Sequence, residues 1–225
     1  MNILITGANG FLGKVIRNVL NNNDIITLSR TNSTLNFDLS NSIPLFDTHI
    51  DLVIHSAGKA HLNPTSNDEI LNFYTINVLG TKNLLNGLIA KPPKQFVFIS
   101  SVSVYGLITG QTVKESTTLQ ARDPYGRSKM EAEEVVKKWC NEYNVKCTIL
   151  RLPLVVGENP PGNLGAMIRG IKKGYYFNIA GGNAKKSMVL ATDVAKFILK
   201  AAEKGGTYNL TDGQHPTFNE LSKNI

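Results

Sequence analysis

The sequence predicts an α/β fold on a doubly wound parallel sheet, and three observations predict it. Short apolar runs alternate with amphipathic helical patterns from Asn2 to Leu150, which is the βαβ texture of a parallel sheet. The first run leads straight into a glycine-rich turn and then a helical pattern. Capping residues stand where this alternation needs helices to begin.

Taken in order, residues 2–5 form the first strand. Thr6-Gly7-Ala8-Asn9-Gly10-Phe11-Leu12-Gly13 follows, with its three glycines spaced three apart. Gly7 permits the tight turn, Gly10 lets backbone approach a pyrophosphate, and Gly13 lets the next helix pack close on the strand. The amides that open that helix form an anion site. A glycine-rich turn after a strand is also ordinary loop chemistry, so its meaning depends on context. A helix is expected over 11–20, strands over 25–28 and 52–55, and a long helix over 68–89. A strand over 96–99, a helix over 124–143 and a strand over 147–150 complete the series. Ser66 and Glu69 have capping-box spacing, and Asp123-Pro124 reads as an N-cap with proline in the first helical position. After Arg151, Pro153, Gly157, Pro160, Pro161 and Gly162 mark loops, and 174–182 reads as irregular. Thr217 and Glu220 make another capping box five residues before Ile225. A helix that short is not stable alone, so it must dock on the sheet or continue.

Composition bounds the function. With 225 residues, 42% hydrophobic and 18% charged, the chain is most simply one domain with a sizeable core. The net charge is +7, but the lysines are scattered and interleave with no aromatic stripe. That pattern points away from nucleic acid and towards a solvated surface that attracts phosphorylated small molecules. Cys140 and Cys147 lack a second ligand set, so no metal site is expected, and they suit a reducing compartment. The strand at residue 2 leaves no room for a leader, and no apolar run is long enough to cross a membrane. The expected location is the cytoplasm.

Tyr125 and Lys129 lie four apart at the start of a helix and project from one face. An ammonium near a phenol lowers its pKa, which lets the phenol exchange a proton at neutral pH while hydride moves at carbon. A surface pair would have the same spacing. Ser100 and Ser101 end a strand, where ligands bind to parallel sheets, though serine also serves ordinary turns. Asn77 shares the apolar face of Phe73 and Tyr74, so its buried amide must be tied to backbone or water.

Together these residues resemble the extended short-chain dehydrogenase/reductase superfamily, in its NAD-dependent epimerase/dehydratase (nucleotide-sugar epimerase) branch. The resemblance covers nearly the whole chain. It rests on the Thr6-to-Gly13 motif, on Asp51-Leu52-Val53-Ile54-His55-Ser56-Ala57 and on Asn77-Val78-Leu79-Gly80-Thr81-Lys82-Asn83-Leu84-Leu85. It continues with Phe98-Ile99-Ser100-Ser101-Val102-Ser103-Val104-Tyr105-Gly106, the Tyr125/Lys129 pair and Leu150-Arg151-Leu152-Pro153.

The resemblance implies a Rossmann sheet that carries NAD(P) in residues 1–152. Residues 153–225 would complete the sheet and form part of a small, incomplete sugar-nucleotide site. By the same resemblance Tyr125 transfers the proton, Lys129 holds the cofactor ribose and tunes Tyr125, Ser101 binds the reacting hydroxyl, and Asn77 is the helix asparagine. The cofactor would also meet Gly7, Asn9, Gly10, Phe11, Leu12, Gly13, Ser29, Arg30, Asp38, Leu39, Ser56, Ala57, Gly58, Leu152 and Pro153. Asp38 matches an acid that contacts adenine. The substrate would meet Ser101, Ser103, Asn163 and Lys186, the last standing where the family often has arginine. A homodimer is implied through the two long helices, with Ile76, Val136 and Trp139 as apolar positions beyond one face.

Two departures refine the expectation. The second strand ends in Thr27-Leu28-Ser29-Arg30 with no acid for a ribose 2′-hydroxyl, which favours NADP over NAD. Ser101 is followed by Val102-Ser103, where dehydratases of the family have Asp-Glu, which disfavours dehydration. The expected activity is a 4-epimerase or a 4-keto reductase acting on a nucleotide-activated sugar. An NADPH-dependent reductase of a non-sugar carbonyl and a non-catalytic NADP-binding regulator are the alternatives.

Overall fold

The computed structural model describes residues 1–60 and 64–225. The chain runs through β1 (Asn2–Thr6), α1 (Phe11–Val19), β2 (Asp24–Ser29), β3 (Leu35–Asn36), β4 (Leu52–His55) and α2 (Asn67–Tyr74). Next come α3 (Gly80–Gly87), β5 (Gln95–Ser101), α4 (Pro124–Glu142), β6 (Lys146–Leu152) and β7 (Leu154–Val156). Then follow α5 (Gly162–Lys172), β8 (Met188–Leu190), α6 (Ala191–Lys204), β9 (Gly206–Asn209) and α7 (Phe218–Lys223).

Seven strands pair in the order β3-β2-β1-β4-β5-β6-β9, all in parallel. The chain builds outward from β1 to β3 and then crosses back to β4. The order therefore reverses between β1 and β4, and a ligand crevice belongs beyond the carboxyl ends of those two strands. The glycine turn lies there. This is the α/β Rossmann-type sheet expected from the sequence. β7 and β8 pair separately, also in parallel.

Both faces of the main sheet are covered, which is why its strands read as continuous apolar runs. Ile3, Ile5, Ile54, Val97 and Leu150 point to one face and pack with Ile16 of α1 and Val194 and Ile198 of α6. Leu4, Val53, Phe96, Phe98 and Ile149 point to the other and meet Leu84 and Leu85 of α3 and Ala132, Val136 and Trp139 of α4. Val136 and Trp139, expected on a free outer face, are thus core residues against the sheet. Ile76 is half-buried and lines the crevice.

The structure differs from the expected elements in four more places. The helix expected over 68–89 is interrupted by a π-turn at Thr75–Leu79 between α2 and α3. The Ser66 hydroxyl caps Glu69 N–H, but the Glu69 carboxylate turns to the amide and hydroxyl of Thr65, so only one arm of that capping box forms. Beyond the segments after Arg151 that read as loops lies the 14-residue helix α6, which no local signal announced, and β9 follows it onto the main sheet. Both arms of the Thr217/Glu220 box do form. The short helix they open docks not on the sheet but on residues 178–184, through Asn178 Nδ2 to Ser222 Oγ (3.1 Å) and Phe218 N to Ala184 O (3.1 Å).

Candidate active site

The glycine turn is held by backbone. Gly7 has φ +66° and donates to Leu28 O, and Gly10 donates to Gly7 O, each at 2.9 Å. A Cβ at Gly7 would lie 2.7 Å from Ala57 Cα, and one at Gly13 only 2.2 Å from Gly7 O. These clearances bring β1, the segment after β4 and α1 to one point. No side chain caps α1 and no acid stands in its first turn. Its opening amides therefore keep the partial positive charge that attracts an anion.

A cavity of about 720 Å³ opens from this turn. It is walled by Gly7, Asn9 and Gly10, by Ser29 and Arg30 after β2, by Asp38 and Leu39, and by Ser56, Ala57 and Gly58 after β4. Lys59 and Asn72, which the sequence did not single out, and Ile76, expected at a dimer face, also line it. Asn9 Nδ2 bonds across to Asn32 O (3.1 Å). Asp38 Oδ1 accepts from Ser40 Oγ (2.6 Å) and Ser40 N (3.0 Å), bonds that with Arg30 hold its pKa below the usual carboxylate range. Phe11 lies beside Gly157, and Leu12 packs into the core.

Asn77 sits in the π-turn, almost wholly buried. Its Oδ1 accepts from Lys59 N (2.7 Å), and its Nδ2 donates to Lys59 O (3.0 Å) and Ser128 Oγ (2.9 Å). The amide thus clasps the segment after Gly58 and ties it to α4. Behind it runs a relay that sequence reasoning missed. Thr81 Oγ1 donates to Asn77 O (2.7 Å), so its contact with His55 Nε2 (2.8 Å) must be received from an Nε2–H. His55 Nδ1 then accepts from Thr6 Oγ1 (2.6 Å), which itself accepts from Ala57 N (3.2 Å). Burial drops the His55 pKa to about 3, which keeps the ring neutral, and the hydrogen bonds select the Nε2–H tautomer. The only sequence signal was a histidine closing an otherwise apolar strand.

Beyond the cavity the ends of β5 and β6 meet the start of α4. Ser101 caps a 3₁₀ turn over Val102–Tyr105, accepting from Ser103 N (3.2 Å) and donating to Ser103 Oγ (3.1 Å). The Ser101 side chain lies near enough to Tyr125 to pull its pKa down in part, and the half-buried Tyr125 ring packs on Phe73 at 6.1 Å. Lys129 is buried, with Nζ 2.9 Å from Ile99 O and 4.7 Å from the Phe98 ring centre. A Cβ on Gly58 would come within 3.1 Å of that Nζ, so Gly58 brings the cavity wall against the lysine. Burial lowers the Lys129 pKa to about 8, opposed by Glu133. The tyrosine behaves contrary to expectation. Burial raises its pKa, Asp123 adds to this, and Ser101 only partly offsets it. Lys129 points at a carbonyl and a ring, so here the phenol holds its proton at neutral pH.

Leu152 ends β6 in the core, and Pro153 links it to β7. Asn163, in the first turn of α5, and Lys186 are both exposed. Among the described residues, neither side chain has a hydrogen bond or ion pair. No group of three or more His, Cys, Asp or Glu placed to hold a metal occurs among the described residues. No helix there is long and apolar enough to cross a membrane.

Comparison with known proteins adds to this geometry. Residues 3–211 match the model of the NAD dependent epimerase/dehydratase family. The chain is 28% identical to N-acetyl-alpha-D-glucosaminyl-diphospho-ditrans,octacis-undecaprenol 4-epimerase of Escherichia coli O157:H7, over 98% of this chain and 70% of that one. It is 29% identical to the UDP-glucose 4-epimerase of Vibrio cholerae, over 76% of this chain and 57% of the relative. The structure of RMD from Pseudomonas aeruginosa complexed with NADPH superposes with TM-score 0.82 at 25% identity, covering 99% of this chain and 81% of that one.

Proposed function

The chain belongs to the NAD dependent epimerase/dehydratase family, and from that premise we propose that it is an NAD(P)-dependent oxidoreductase, with NADP favoured over NAD, acting at C4 of a nucleotide-activated sugar. The observation that carries this reading is Tyr125 and a buried Lys129 on one face of α4, set beside Ser101 at the end of β5. The uncapped amides of α1, the crowded Gly7 turn and the cavity fit a dinucleotide diphosphate. A nicotinamide would supply hydride exchange at the sugar carbon.

The chain's own residues do the rest. Ser101 Oγ holds the reacting oxygen, and Tyr125 Oη gives it a proton in reduction or takes one in oxidation. A phenol whose pKa burial has raised is already in the donating form. Lys129 holds a ribose against Gly58, and Asn77 keeps the segment after Gly58 in place. Arg30 meets a 2′-phosphate, since β2 ends without a carboxylate to repel it. Ser101 bonds Ser103 where an eliminating enzyme needs acids, which disfavours dehydration. Asn163 and Lys186 belong to the substrate side.

The family relatives favour epimerisation, and the Ser29-Arg30 end favours reduction with an exchangeable NADPH. Denaturing the purified protein and identifying the released dinucleotide tests this. Tightly held NAD⁺ identifies an epimerase, an empty site that binds NADPH identifies a reductase, and binding of neither dinucleotide refutes the reading.

We also propose a homodimer through the outer face of α2, α3 and α4. Leu71, Tyr74 and Leu79 are exposed there beside Lys82 and Glu131. A monomer in sedimentation at micromolar concentration would refute it.

A further inference from the structure

Among the described residues two cations are buried, Lys129 and Arg151, against one carboxylate, Glu133. Glu133 lies one helical turn beyond Lys129, so α4 carries Tyr125, Lys129 and Glu133 up one face. Its Oε1 accepts from Ser100 Oγ (2.6 Å) and Arg151 Nε (3.0 Å), and its Oε2 accepts from Arg151 Nη2 (2.7 Å). Ser100 and Arg151 are register partners on β5 and β6. Arg151 Nη1 reaches on to Tyr105 Oη (2.8 Å) and Glu115 O (3.0 Å), and Tyr105 Oη donates to Asn209 Oδ1 on β9 (2.7 Å). The carboxylate therefore sits where α4, β5, β6 and the turn after Ser101 meet.

If the pair were only a fastener, one cation would balance it. A fully buried ion pair adds little net stability over apolar packing of the same volume. The second cation changes the account. A buried ammonium without a counter-charge sheds its proton rather than stay charged. We propose that Glu133 is a positioning residue that keeps Lys129 protonated, with the two-point grip of Arg151 holding the carboxylate at that place.

The other charged groups around Lys129 do not supply a counter-charge. His55 from β4 is neutral, Tyr125 on α4 holds its proton, and Arg151 from β6 is itself a cation. Lys59 lies over the Phe73 ring, and Lys137 approaches Glu133 from the solvent side at 3.6 Å. The acids of neighbouring segments are engaged elsewhere, Asp123 with Gly126 N and Glu115 with Asn209 N. In agreement, burial pulls the Lys129 pKa down while Glu133 pulls it back up.

The catalytic meaning of this arrangement rests on the proposed function, but its test does not. The full chain, ¹³C-labelled at lysine Cε, is titrated by NMR, with Lys129→Arg used to assign the signal. The wild-type midpoint is expected near 8, and a midpoint below neutrality overturns the proposal at once. Glu133→Gln should lower the midpoint by about one pH unit or more, a tenfold loss of the charged form at a given pH. Should that variant fail to fold, Glu133→Gln with Arg151→Met removes both partners of the pair and is compared with Arg151→Met alone, so that both lack the guanidinium, and a drop is expected between them. A midpoint unchanged in the variant that folds, even alongside a loss of thermal stability, makes Glu133 purely structural and overturns the proposal. Calorimetry of NADPH and NADH on the wild type at pH 7 is read separately. Failure to bind either removes the functional reading and leaves the Lys129 result standing.

Discussion

The two sides of the site are built in opposite ways. On the side of the glycine turn, buried polar groups are engaged with one another. Asn77 clasps Lys59, His55 joins two threonines, and Ser101 bonds Ser103. On the side of residues 153–225, Asn163 and Lys186 stand in solvent. Part of the geometry is therefore fixed by the chain's own hydrogen bonds, and part is left for a ligand to organise. Positioned groups of the first kind contribute most to a reaction barrier, so damage there should cost far more than damage on the other side.

The largest effect is expected from Tyr125→Phe. Losing the phenol should lower turnover by about 10²–10⁴-fold, the usual worth of general acid–base catalysis, with dinucleotide affinity near normal. Steady-state rates and calorimetry check both halves of the statement, and full activity would remove Tyr125 from the chemistry.

The relay behind Asn77 comes next. Thr81→Val leaves the buried His55 Nε2–H without an acceptor, which should cost about 1–3 kcal/mol of stability in denaturant melts. The relay also has a pH signature. The folded-state pKa of His55 is about 3, below its ordinary value of 6.5. The unfolded chain therefore binds the extra proton between those limits. The contribution of His55 is fully present above pH 6.5 and is lost as pH falls towards 3. Melts over that window should show a loss approaching one proton per molecule, and a flat profile would contradict the buried neutral imidazole.

A smaller change should follow Arg30→Asp. NADPH should weaken by about tenfold more than NADH, because a carboxylate would then face the 2′-phosphate. Equal changes in both affinities would show that Arg30 does not read the phosphate. The smallest effect is expected from Lys186→Ala and Asn163→Ala. Dinucleotide affinity should stay within about twofold, as for surface changes away from buried networks. A large loss would place these residues at the cofactor and break the contrast between the two sides.

The same contrast marks what could be read from the sequence. The order of strands and helices to Leu152 follows largely from local signals, because both faces of the sheet are buried and α2 and α4 open on Ser66 and Asp123 caps. The glycine turn is legible because close backbone approach excludes other side chains at Gly7 and Gly13. α6 was hidden by the character of its buried stripe. Ala195, Ala201 and Ala202 supply much of it, and alanine stands out weakly from neighbouring loops. β9, Gly-Thr-Tyr-Asn, is too short to show a strand period. Asp123 and Pro124 announced α4, but nothing local marked Glu69 to turn to Thr65 instead of Ser66. The partners of His55 and Glu133 lie on other elements, 26 and 49 residues away for His55 and 18 and 33 for Glu133. Such long-range polar contacts leave no periodic trace. The lowered tyrosine pKa expected from spacing failed for a related reason, since sequence separation places Lys129 near Tyr125 but does not say where its ammonium turns.

The π-turn at Thr75–Leu79 has a consequence for how this helix tolerates change in length. A π-turn accommodates one more residue than the α-helical ladder around it. Upstream of it α2 offers Asn72 to the crevice, and downstream α3 offers Leu84 and Leu85 to the sheet. Deleting one residue inside the turn would let the ladder close as ordinary α-helix near its present phase, but deleting one in α3 would rotate everything upstream by about 100° relative to the rest of α3, one residue's share of a 3.6-residue turn. Phe73 would leave the Tyr125 ring, and the clasp on Lys59 would lose its amide. A length change in α3 therefore acts as a phase shift, and the loss of one residue is absorbed only where the turn stores an extra one.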